Sequence, residues 1–457
     1  RAMGRGGQKS EAVAASATTP LKTADSAKPR SWEKVVLIDG VEYDVTNFIR
    51  RHPGGSVIKY ALAEEGADAT AIYNAFHVRS RKADLMLKSL PSRKPQLEVQ
   101  PGQLIDEDSK EGEMLRDFAK FEQQLKDEGF FEPSNLHVLY RLTELAAIFA
   151  LGLFLFSLRT PLGILGGVIA HGLFGGRCGW LQHEGGHGSL FTSLWLGKRV
   201  QACLIGFGLG TSGDMWNMMH NKHHAATQKV NHDLDIDTTP LVAFFNTAFE
   251  KSRFASAFNK FWIRFQALTF LPITSGVFVM LFWLLFLHPR RVIQRGLPEE
   301  GFWMITSHIV RTALFKAVTG WSSWAACYAV GYWGAMWVSG MYLFGHFSLS
   351  HTHLDVVEQD VHKNWVRYAV DHTVDISPGN PLVCWMMGYL NLQVIHHLFP
   401  VMPQYKQIEV SRRFAVFCDK HGLNYRRSTY FGAWYDMFNN LWTVGQHYHT
   451  NGVQKNS

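Results

Sequence analysis

The chain has 457 residues, enough for two or three domains of ordinary size. It carries 45 Lys and Arg against 38 Asp and Glu, and its net charge of +7 is not gathered into a basic stripe with interleaved aromatic residues. This pattern argues against a nucleic-acid-binding protein and favours contact with a membrane surface or an anionic substrate. The 5 cysteines lack Cys-x-x-Cys spacing, which indicates reduced thiols rather than a disulfide framework.

The front of the chain divides into a tail, a compact unit and a linker. Residues 1–30 are polar, without an apolar core, so we expect a disordered tail and no secretory signal. Residues 31–100 are predicted to form a compact unit, followed by a charged linker over 101–113. Helical periodicity then predicts an amphipathic helix over 114–129, which begins a second unit over 114–457.

Four later segments approach the length of about 20 residues that a helix needs to cross a bilayer. They lie at 138–158, 161–181, 267–287 and within 321–346. The apolar segment 201–210 is shorter and is predicted to be interfacial or re-entrant. Four crossings put both chain ends on one side of the membrane. One feature opposes this topology, because the residues after the third segment, where the chain would be opposite its ends, include Arg290, Arg291, Arg295 and Arg311.

The front unit contains a histidine in a tight turn and a second histidine further on. The run Val41-Glu-Tyr-Asp-Val-Thr-Asn-Phe48 precedes His52-Pro-Gly-Gly55, and Phe76-His77 follows. The proline and glycines make a turn that lets the backbone approach a planar macrocycle. Together these residues resemble cytochrome b5. The resemblance implies that His52 and His77 are the axial ligands of haem b, and two imidazoles leave the iron no open position, which suits electron transfer.

Three histidine clusters lie beside the apolar segments. They are His183-Glu-Gly-Gly-His187, His220-Asn-Lys-His223-His224 and Gln393-Val-Ile-His396-His397. Residues three or four apart share a helix face, so the members of a cluster can point at one metal. Seven imidazoles exceed the needs of one tetrahedral zinc ion. With four crossings all three clusters face the same compartment, which predicts a multi-metal site at a membrane surface.

Two other classes of protein compete with this interpretation. The first cluster matches His-Glu-x-x-His, the zinc metalloprotease signature, in which Glu184 would be the general base. Against a membrane protease, Gly185 and Gly186 weaken the helix that the motif needs, and the extra histidines and the haem unit would have no role. A membrane haem or metal carrier would leave the apolar helices unexplained. A fused electron donor with many imidazoles favours oxygen activation at non-haem iron.

Longer runs make a second resemblance specific. They are Arg177-Cys-Gly-Trp-Leu-Gln-His-Glu-Gly-Gly-His187, Met219-His-Asn-Lys-His-His224, Ser350-His-Thr-His-Leu354 and Tyr389-Leu-Asn-Leu-Gln-Val-Ile-His-His-Leu-Phe-Pro400. Behind a cytochrome b5 unit, these runs are similar to the front-end membrane fatty acid desaturases, in particular to the acyl-CoA Δ6 desaturases of marine green microalgae. The resemblance covers residues 31–450. It implies a multidomain chain, with a small α+β haem domain before an all-α membrane domain that has four transmembrane helices and a cytosolic histidine-rich cap.

The same resemblance implies a set of metal ligands. Two non-haem iron ions are expected on His183, His187, His220, His223, His224, His396 and His397, with Gln393 near or at the metal and His351 as a further ligand. His346 and His353 are the less favoured candidates for that further position. Around the ligands, His232, Asp233, Asp235 and Asp237 either orient imidazoles through their free N–H groups or belong to a solvated loop.

The implied activity is O2-dependent insertion of a cis double bond at Δ6 into polyunsaturated chains such as linoleoyl and α-linolenoyl, with Δ5 as the alternative. Electrons are expected from cytochrome b5 reductase through the fused haem domain. The expected substrate is a fatty acyl-CoA or an acyl-phospholipid, and no nucleic acid is expected as a partner. The expected location is the endoplasmic-reticulum membrane, multi-pass, with membrane lipid around it and both termini and the metal site in the cytosol.

Overall fold

The computed structural model describes residues 32–62, 68–94, 109–249, 256–357 and 364–454. The tail predicted over 1–30 and most of the linker predicted over 101–113 lie outside the described residues. The described chain forms a small α+β unit and then a helical unit, in the order predicted. Its five cysteines are unpaired.

The front unit is built on three short antiparallel strands. They are β1 (Val35–Ile38), β2 (Val41–Asp44) and β3 (Ser92–Arg93), in the order β1-β2-β3. Val35 pairs with Asp44 in this sheet, and Tyr43 pairs with Ser92. Three helices complete the unit, a 3-10 helix (Gly55–Ala61), α1 (Thr70–His77) and α2 (Arg81–Lys88). Apolar residues of the sheet and helices form its core, among them Val36, Ile38, Val45, Ala61, Leu62 and Ala69.

The second unit is helical. Its first helices are α3 (Lys110–Asp127), α4 (Asn135–Ser157), α5 (Pro161–His187), α6 (Leu194–Leu209), α7 (Gly213–Ala225), α8 (Ala257–Ile263), α9 (Gln266–Thr269), α10 (Met280–Phe282) and α11 (His288–Arg295). Then come α12 (Pro298–Thr319), α13 (Trp324–Cys327), α14 (Gly334–Ser348), α15 (Trp365–His372), α16 (Pro381–Met386), α17 (Gln393–Leu398), α18 (Gln407–His421) and α19 (Tyr430–Gln454). A 3-10 turn covers Gln404–Lys406, and β4 (Asp375–Ile376) pairs in parallel with β5 (Arg427–Ser428).

Stretches of π-helix join several of these helices end to end. Phe270–Val279 and Trp283–Leu287 connect α9, α10 and α11, and Tyr328–Trp333 connects α13 to α14. The amphipathic helix predicted over 114–129 begins earlier, at Lys110. The reason is an N-cap, since the Ser109 hydroxyl accepts the backbone N–H of Gly112.

Two helical stretches of the described residues are long and apolar enough to cross a membrane, Asn135–Ser157 and Gln266–Arg295. The other two predicted membrane segments are also helical. They lie in α5 and in the continuous helix 324–348, where glycine, aromatic and polar residues lower the apolar character. The apolar segment 201–210 lies mostly in α6, whose 16 residues fall short of the roughly 20 that a crossing needs.

The structure corrects the interpretation of the basic residues after position 287. Arg311 is buried in α12, where its guanidinium donates to the carbonyl oxygens of Gly208 at 2.8 Å and His171 at 3.3 Å. Arg291 lies on α11 and pairs at 2.5 Å with Asp214, in the first turn of α7. Helix α7 carries the second histidine cluster, so α11 lies on the same side of the molecule as the histidines. Four crossings at the predicted positions would instead place α11 on the opposite side. Arg291 and Arg311 therefore do not mark a loop on the side opposite the histidine clusters.

Helices α4, α5, α12 and 324–348 share their turns at one end. Arg159, in the α4–α5 turn, donates to the carbonyl oxygen of Val318, beside the α12–α13 turn, at 3.2 Å. The opposite ends of α5 and of 324–348 carry the first histidine cluster and His346. In this arrangement α12 leads through a short turn into 324–348, and the predicted segment 267–287 packs against 324–348 as well, where Trp337 donates to the carbonyl oxygen of Pro272 at 2.7 Å.

A helical layer covers the histidine end of this group. Its core is formed by buried apolar side chains of α3, α15, α17 and α18, including Phe118, Val366, Leu398 and Phe414. Phe118 stacks on Phe399 with 5.6 Å between ring centres. Helix α17, which carries the third histidine cluster, is thereby held between this core and the metal-facing ends of α5 and α7.

Candidate metal centre and haem pocket

Two groups of buried imidazoles meet where α5, α7 and α17 converge. The ligand-type nitrogens of each group lie within 4.8 Å of one another. The larger group contains His183, His187, His220, His224 and His396, and the smaller group contains His223, His351 and His397. The two groups are adjacent, since the rings of His224 and His397 stack with 4.2 Å between their centres. All eight histidines predicted as iron ligands are therefore together.

The imidazoles have nitrogens to spare for metal ions. Several buried ring nitrogens make no hydrogen bond to any described residue, namely Nε2 of His183, His187, His396 and His397 and Nδ1 of His224. A buried polar atom without a partner costs about 1–3 kcal/mol. Several such atoms facing one another are expected to have a ligand, and neutral imidazole nitrogen suits iron.

The first histidine cluster lies on an unbroken helix. Helix α5 continues to His187 and ends at Gly188, whose φ is +75°. The helix therefore continues through Gly185 and Gly186 despite their low helix propensity. The glycines let neighbouring helices approach, because a Cβ on Gly186 would collide with the ring of Trp216 on α7.

Asp233 orients the second cluster. Its carboxylate is fully buried, and both oxygens lie 3.0 Å from Nδ1 of His223. Burial lowers the pKa of His223, but the carboxylates of Asp233 and Asp235 outweigh burial and raise this pKa to about 9. The contact holds Nδ1 as an N–H. Because the raised pKa also favours a proton on Nε2, a metal ion would bind there by displacing that proton. His232, in contrast, contacts the Tyr60 hydroxyl of the front unit at 3.2 Å.

Two side chains that contact the ligands were missed by the sequence analysis. The amide of Gln404 lies 2.7 Å from Nδ1 of His183, with its oxygen placed to accept that N–H. The hydroxyl of Thr227 lies 3.2 Å from Nδ1 of His397 and donates to the carbonyl oxygen of His223 at 2.8 Å. Neither residue belongs to a histidine cluster, so no spacing pattern could have indicated it.

Gln393 contacts the smaller group. Its side-chain oxygen lies 3.2 Å from Nε2 of His351, and its amide nitrogen donates to the carbonyl oxygen of Leu390 at 2.8 Å. His346 instead contacts the hydroxyl of Tyr430, and neither His346 nor His353 belongs to the two groups found among the described residues. Of the three candidates for a further ligand, the structure brings His351 to the centre.

Asp375 fixes the helix that carries the third cluster. This buried carboxylate accepts the backbone N–H of Val394, in the first turn of α17, at 2.9 Å. Its other oxygen accepts hydrogen bonds from the hydroxyls of Ser411, at 3.3 Å, and Tyr425. Burial raises the pKa of Asp375 to about 6. This interaction was not predicted, because Asp375 lies 19 residues before Val394.

Glu184 is not placed as a general base. Neither group of potential metal ligands in the described chain includes it. Its buried carboxylate instead lies 4.0 Å from the guanidinium of Arg141 and beside the Gln404 amide. A metalloprotease needs this glutamate beside a metal-bound water, so the geometry disfavours the protease alternative.

A cavity of about 370 Å³, lined mostly by the front unit, lies between His52 and His77. Their ring centres are 6.3 Å apart, which leaves room for one metal ion at bond lengths of about 2.0 Å. Nδ1 of His52 bonds the carbonyl oxygen of Gly55, and Nδ1 of His77 bonds that of Tyr73, so both Nε2 atoms are available. Burial lowers the pKa of both histidines, which favours the neutral form that ligates iron.

Comparisons with known proteins agree with both sites. Residues 133–429 match the fatty acid desaturase family, and residues 22–94 match the cytochrome b5-like heme/steroid binding domain. An acyl-lipid (8-3)-desaturase of Thraustochytrium sp is 40% identical over 90% of this chain and 92% of its own length. Another, of Rebecca salina, is 40% identical over 94% of this chain and 96% of its own length. The Delta(6)-fatty-acid desaturase fat-3 of Caenorhabditis elegans is 25% identical over 87% of this chain and 93% of its own length.

These matches span both units of the chain and the histidines of both sites. The predicted enzyme class and cofactors, haem, non-haem iron and O2, are thereby confirmed. The chain belongs to the fatty acid desaturase family and is a desaturase of front-end type, with a cytochrome b5-like haem domain fused to its helical, iron-dependent domain.

Proposed function

We propose that this enzyme inserts a cis double bond into a polyunsaturated acyl chain, between the carboxyl end and an existing double bond. One observation carries the proposal, namely two adjacent imidazole groups beside the haem pocket of the same chain. Iron held by such groups supplies activation of O2, the chemistry that removes hydrogen from an unactivated carbon. The fused domain takes its electrons from a cytochrome b5 reductase.

We infer that the two imidazole groups each hold one iron ion. The larger group binds the first ion, the smaller group binds the second, and Gln393 lies beside the second. The separation of the ligand-type nitrogens into two groups supports this division, and each group contains at least one unpartnered nitrogen. Haem lies between His52 and His77 in the front unit, which the shape of the cavity and the free Nε2 atoms support.

Burial prepares the imidazoles for metal binding. All eight are at most 8% exposed. Burial lowers the pKa of His224, His396 and His397 well below the usual value, so these rings are unprotonated at neutral pH. Asp233, Gln404 and Thr227 then fix which ring nitrogen carries the hydrogen.

For the topology, we propose four crossings, by α4, α5, α12 and the helix 324–348. Both termini and the metal centre then lie on the cytosolic side of the endoplasmic-reticulum membrane. The contact of Arg159 with Val318 supports this set, and Gln266–Arg295 then lies along the membrane with its apolar residues exposed, among them Leu268, Phe282 and Phe286. An N-glycosylation sequence inserted after Thr160 should be modified in the lumen, and one inserted after Leu297 should not. Modification of the second insertion would refute this topology.

For the position of the double bond, we propose Δ6. The similarity of the histidine-containing runs to acyl-CoA Δ6 desaturases supports this regiochemistry and an acyl-CoA substrate. A second candidate is the activity of an acyl-lipid (8-3)-desaturase. This is the name of the Thraustochytrium and Rebecca salina relatives, which match 90% and 94% of this chain. Those names favour an acyl-lipid substrate.

Expression in yeast distinguishes the candidates. Cells are fed linoleate, α-linolenate or twenty-carbon polyunsaturated acids, and the new double bond is located by mass spectrometry, with His396→Ala as the inactive control. A new Δ6 bond in the eighteen-carbon acids supports the first candidate, and a product from twenty-carbon acids alone supports the second. No new bond from any of these acids contradicts the desaturase proposal. A short time course identifies the carrier, because product appears first in the pool that the enzyme uses, acyl-CoA or phospholipid.

A further inference from the structure

The haem pocket and the metal centre share a wall. The haem cavity is lined by residues of the front unit and also by Gly186, His187 and Asn221, from α5 and α7. His187 belongs to the larger imidazole group, and Asn221 follows His220 of the same group. The two redox sites are therefore separated by little more than one layer of side chains.

The segment Phe76–Arg79, which comprises the end of α1 and the start of the turn to α2, touches both sites. The ring of Phe76 lines the haem cavity and meets the ring of His224 edge-on, with 5.9 Å between their centres. It also meets the ring of Trp365 at 6.3 Å. The next residue, His77, is one of the two histidines that face each other across the haem cavity. Phe76 thus precedes a proposed haem ligand in the chain and contacts a proposed ligand of the metal centre in space.

Arg79 ties this segment to the end of the first histidine cluster. Its guanidinium donates to the carbonyl oxygens of Gly188 and Phe191, the latter at 3.0 Å. Gly188 ends α5 one residue after His187. The carbonyl groups at the end of a helix carry partial negative charge, so a cation is stabilised there. Arg79 is part-buried, and it is not among the residues that line the haem cavity.

Other contacts between the two units lie outside this wall. The rings of Tyr60 and His232 meet edge-on at 5.4 Å. This contact adds to the area of attachment. The 3-10 helix Gly55–Ala61, which follows His52, also packs against α7. The Phe76–Arg79 segment differs in that its own side chains hydrogen-bond the end of α5 and contact the ring of His224.

We propose that Phe76–Arg79 is the docking segment through which the haem domain delivers electrons, with Arg79 as a positioning residue and Phe76 as the contact to His224. The proposal rests on the ligand roles proposed above for His77 and His224. In each delivery one electron leaves ferrous haem, which becomes ferric, and one ferric non-haem iron becomes ferrous. A reductase supplies the electron to the haem, and no proton moves at Phe76.

The test compares Arg79→Ala with Arg81→Ala in the purified full-length enzyme carrying haem and iron. Arg81 is an exposed arginine two residues away, at the start of α2, and serves as the matched control. The haem is reduced anaerobically by the reductase and then mixed with O2 and acyl substrate, and reoxidation is followed by haem absorbance. In Arg79→Ala the haem spectrum and the rate of reduction should be unchanged. Reoxidation should slow about tenfold, equivalent to about 1.4 kcal/mol and within reach of lost hydrogen bonds to a charged group.

A second measurement does not depend on bound metal. In the iron-free protein, amide hydrogen exchange of residues 188–191 should rise in Arg79→Ala and stay unchanged in Arg81→Ala. Phe76→Leu, which keeps an apolar side chain in the haem cavity, should slow reoxidation without raising this exchange.

Reoxidation at the parent rate in Arg79→Ala, with unchanged amide exchange, would overturn the proposal. Should Arg79→Ala fail to fold, Arg79→Lys gives the same test, because an ammonium cannot reproduce the planar fork that reaches two carbonyl groups. Absence of reoxidation in the parent enzyme would instead count against the proposed function. In that case the exchange comparison still decides whether Arg79 holds the haem domain in place.

Discussion

Replacing Asp233 with Asn is expected to weaken one of the two metal positions and to spare the other. Asp233 holds His223 by a contact of 3.0 Å, and His223 belongs to the smaller imidazole group with His351 and His397. The larger group takes its five imidazoles from other positions. The two ions should therefore respond differently to this single change.

The size of the effect follows from the contacts of the carboxylate. Asp233 accepts Nδ1–H of His223 and also the backbone N–H groups of Gln228 at 2.8 Å and Asp235 at 3.0 Å. Asparagine keeps one acceptor oxygen but turns an amide N–H group toward these donors. At least one buried hydrogen bond to a charged acceptor is therefore lost, and such a bond contributes about 1.5–3 kcal/mol to stability. At about 1.4 kcal/mol per tenfold, the metal affinity of the smaller group should fall about 10–100-fold.

The assay measures iron per protein after dialysis against increasing concentrations of a weak chelator. The parent enzyme is compared with Asp233→Asn and with Asp237→Asn, a control on the same loop whose carboxyl accepts the backbone N–H of Asn231. Asp233→Asn should lose one iron ion at chelator concentrations where the parent and the control keep both. Joint loss of both ions, or retention of both at the parent level, would refute the claim that the imidazoles form two metal positions of which Asp233 supports only the smaller.

Three further changes test other parts of the molecule. Gly186→Ala should reduce iron content, since the added Cβ would collide with Trp216 and displace the first cluster; normal iron content would contradict this. His52→Ala should remove haem absorbance and keep iron, whereas His223→Ala should keep haem and lose iron and product; full product formation by His223→Ala, measured on the same preparations, would show that His223 is not an essential ligand. Burial holds the pKa of Asp375 near 6 in the folded protein, above the value of about 3.9 in an unfolded chain. Protonation of Asp375 therefore stabilises the fold fully below about pH 3.9, and this stabilisation is lost as the pH rises through 6. The melting temperature of Asp375→Asn should lack this part of the pH dependence, and identical pH profiles for variant and parent would contradict it.

The amino-acid sequence by itself determined the features that depend on short-range spacing. The turn at His52, the partner His77 and the three histidine clusters could be recognised because their residues are held by local backbone geometry. Helical periodicity puts His183 and His187 on one face, and the structure keeps them there. The two-unit organisation followed for the same reason, since each unit carries its own local pattern.

Tertiary structure alone decided which imidazoles share a metal position. His223 and His224 are neighbours in the chain but fall in different groups, because successive residues of a helix point about 100° apart. His396 and His397 divide in the same way. The supporting contacts of Thr227 and Gln404 also depend on the packing of distant segments, 170 and 221 residues apart in the chain.

The tertiary structure also determined how the chain runs through the helical unit. Apolar composition singles out 267–287 and passes over α12, because α12 contains charged residues, among them Arg311 and Lys316. Yet the carbonyl oxygens of Gly208 and His171, on two other helices, accept the N–H groups of that guanidinium inside the protein. A hydropathy criterion counts each residue as though it faced lipid, whereas packing supplies buried charges with partners that no single segment contains.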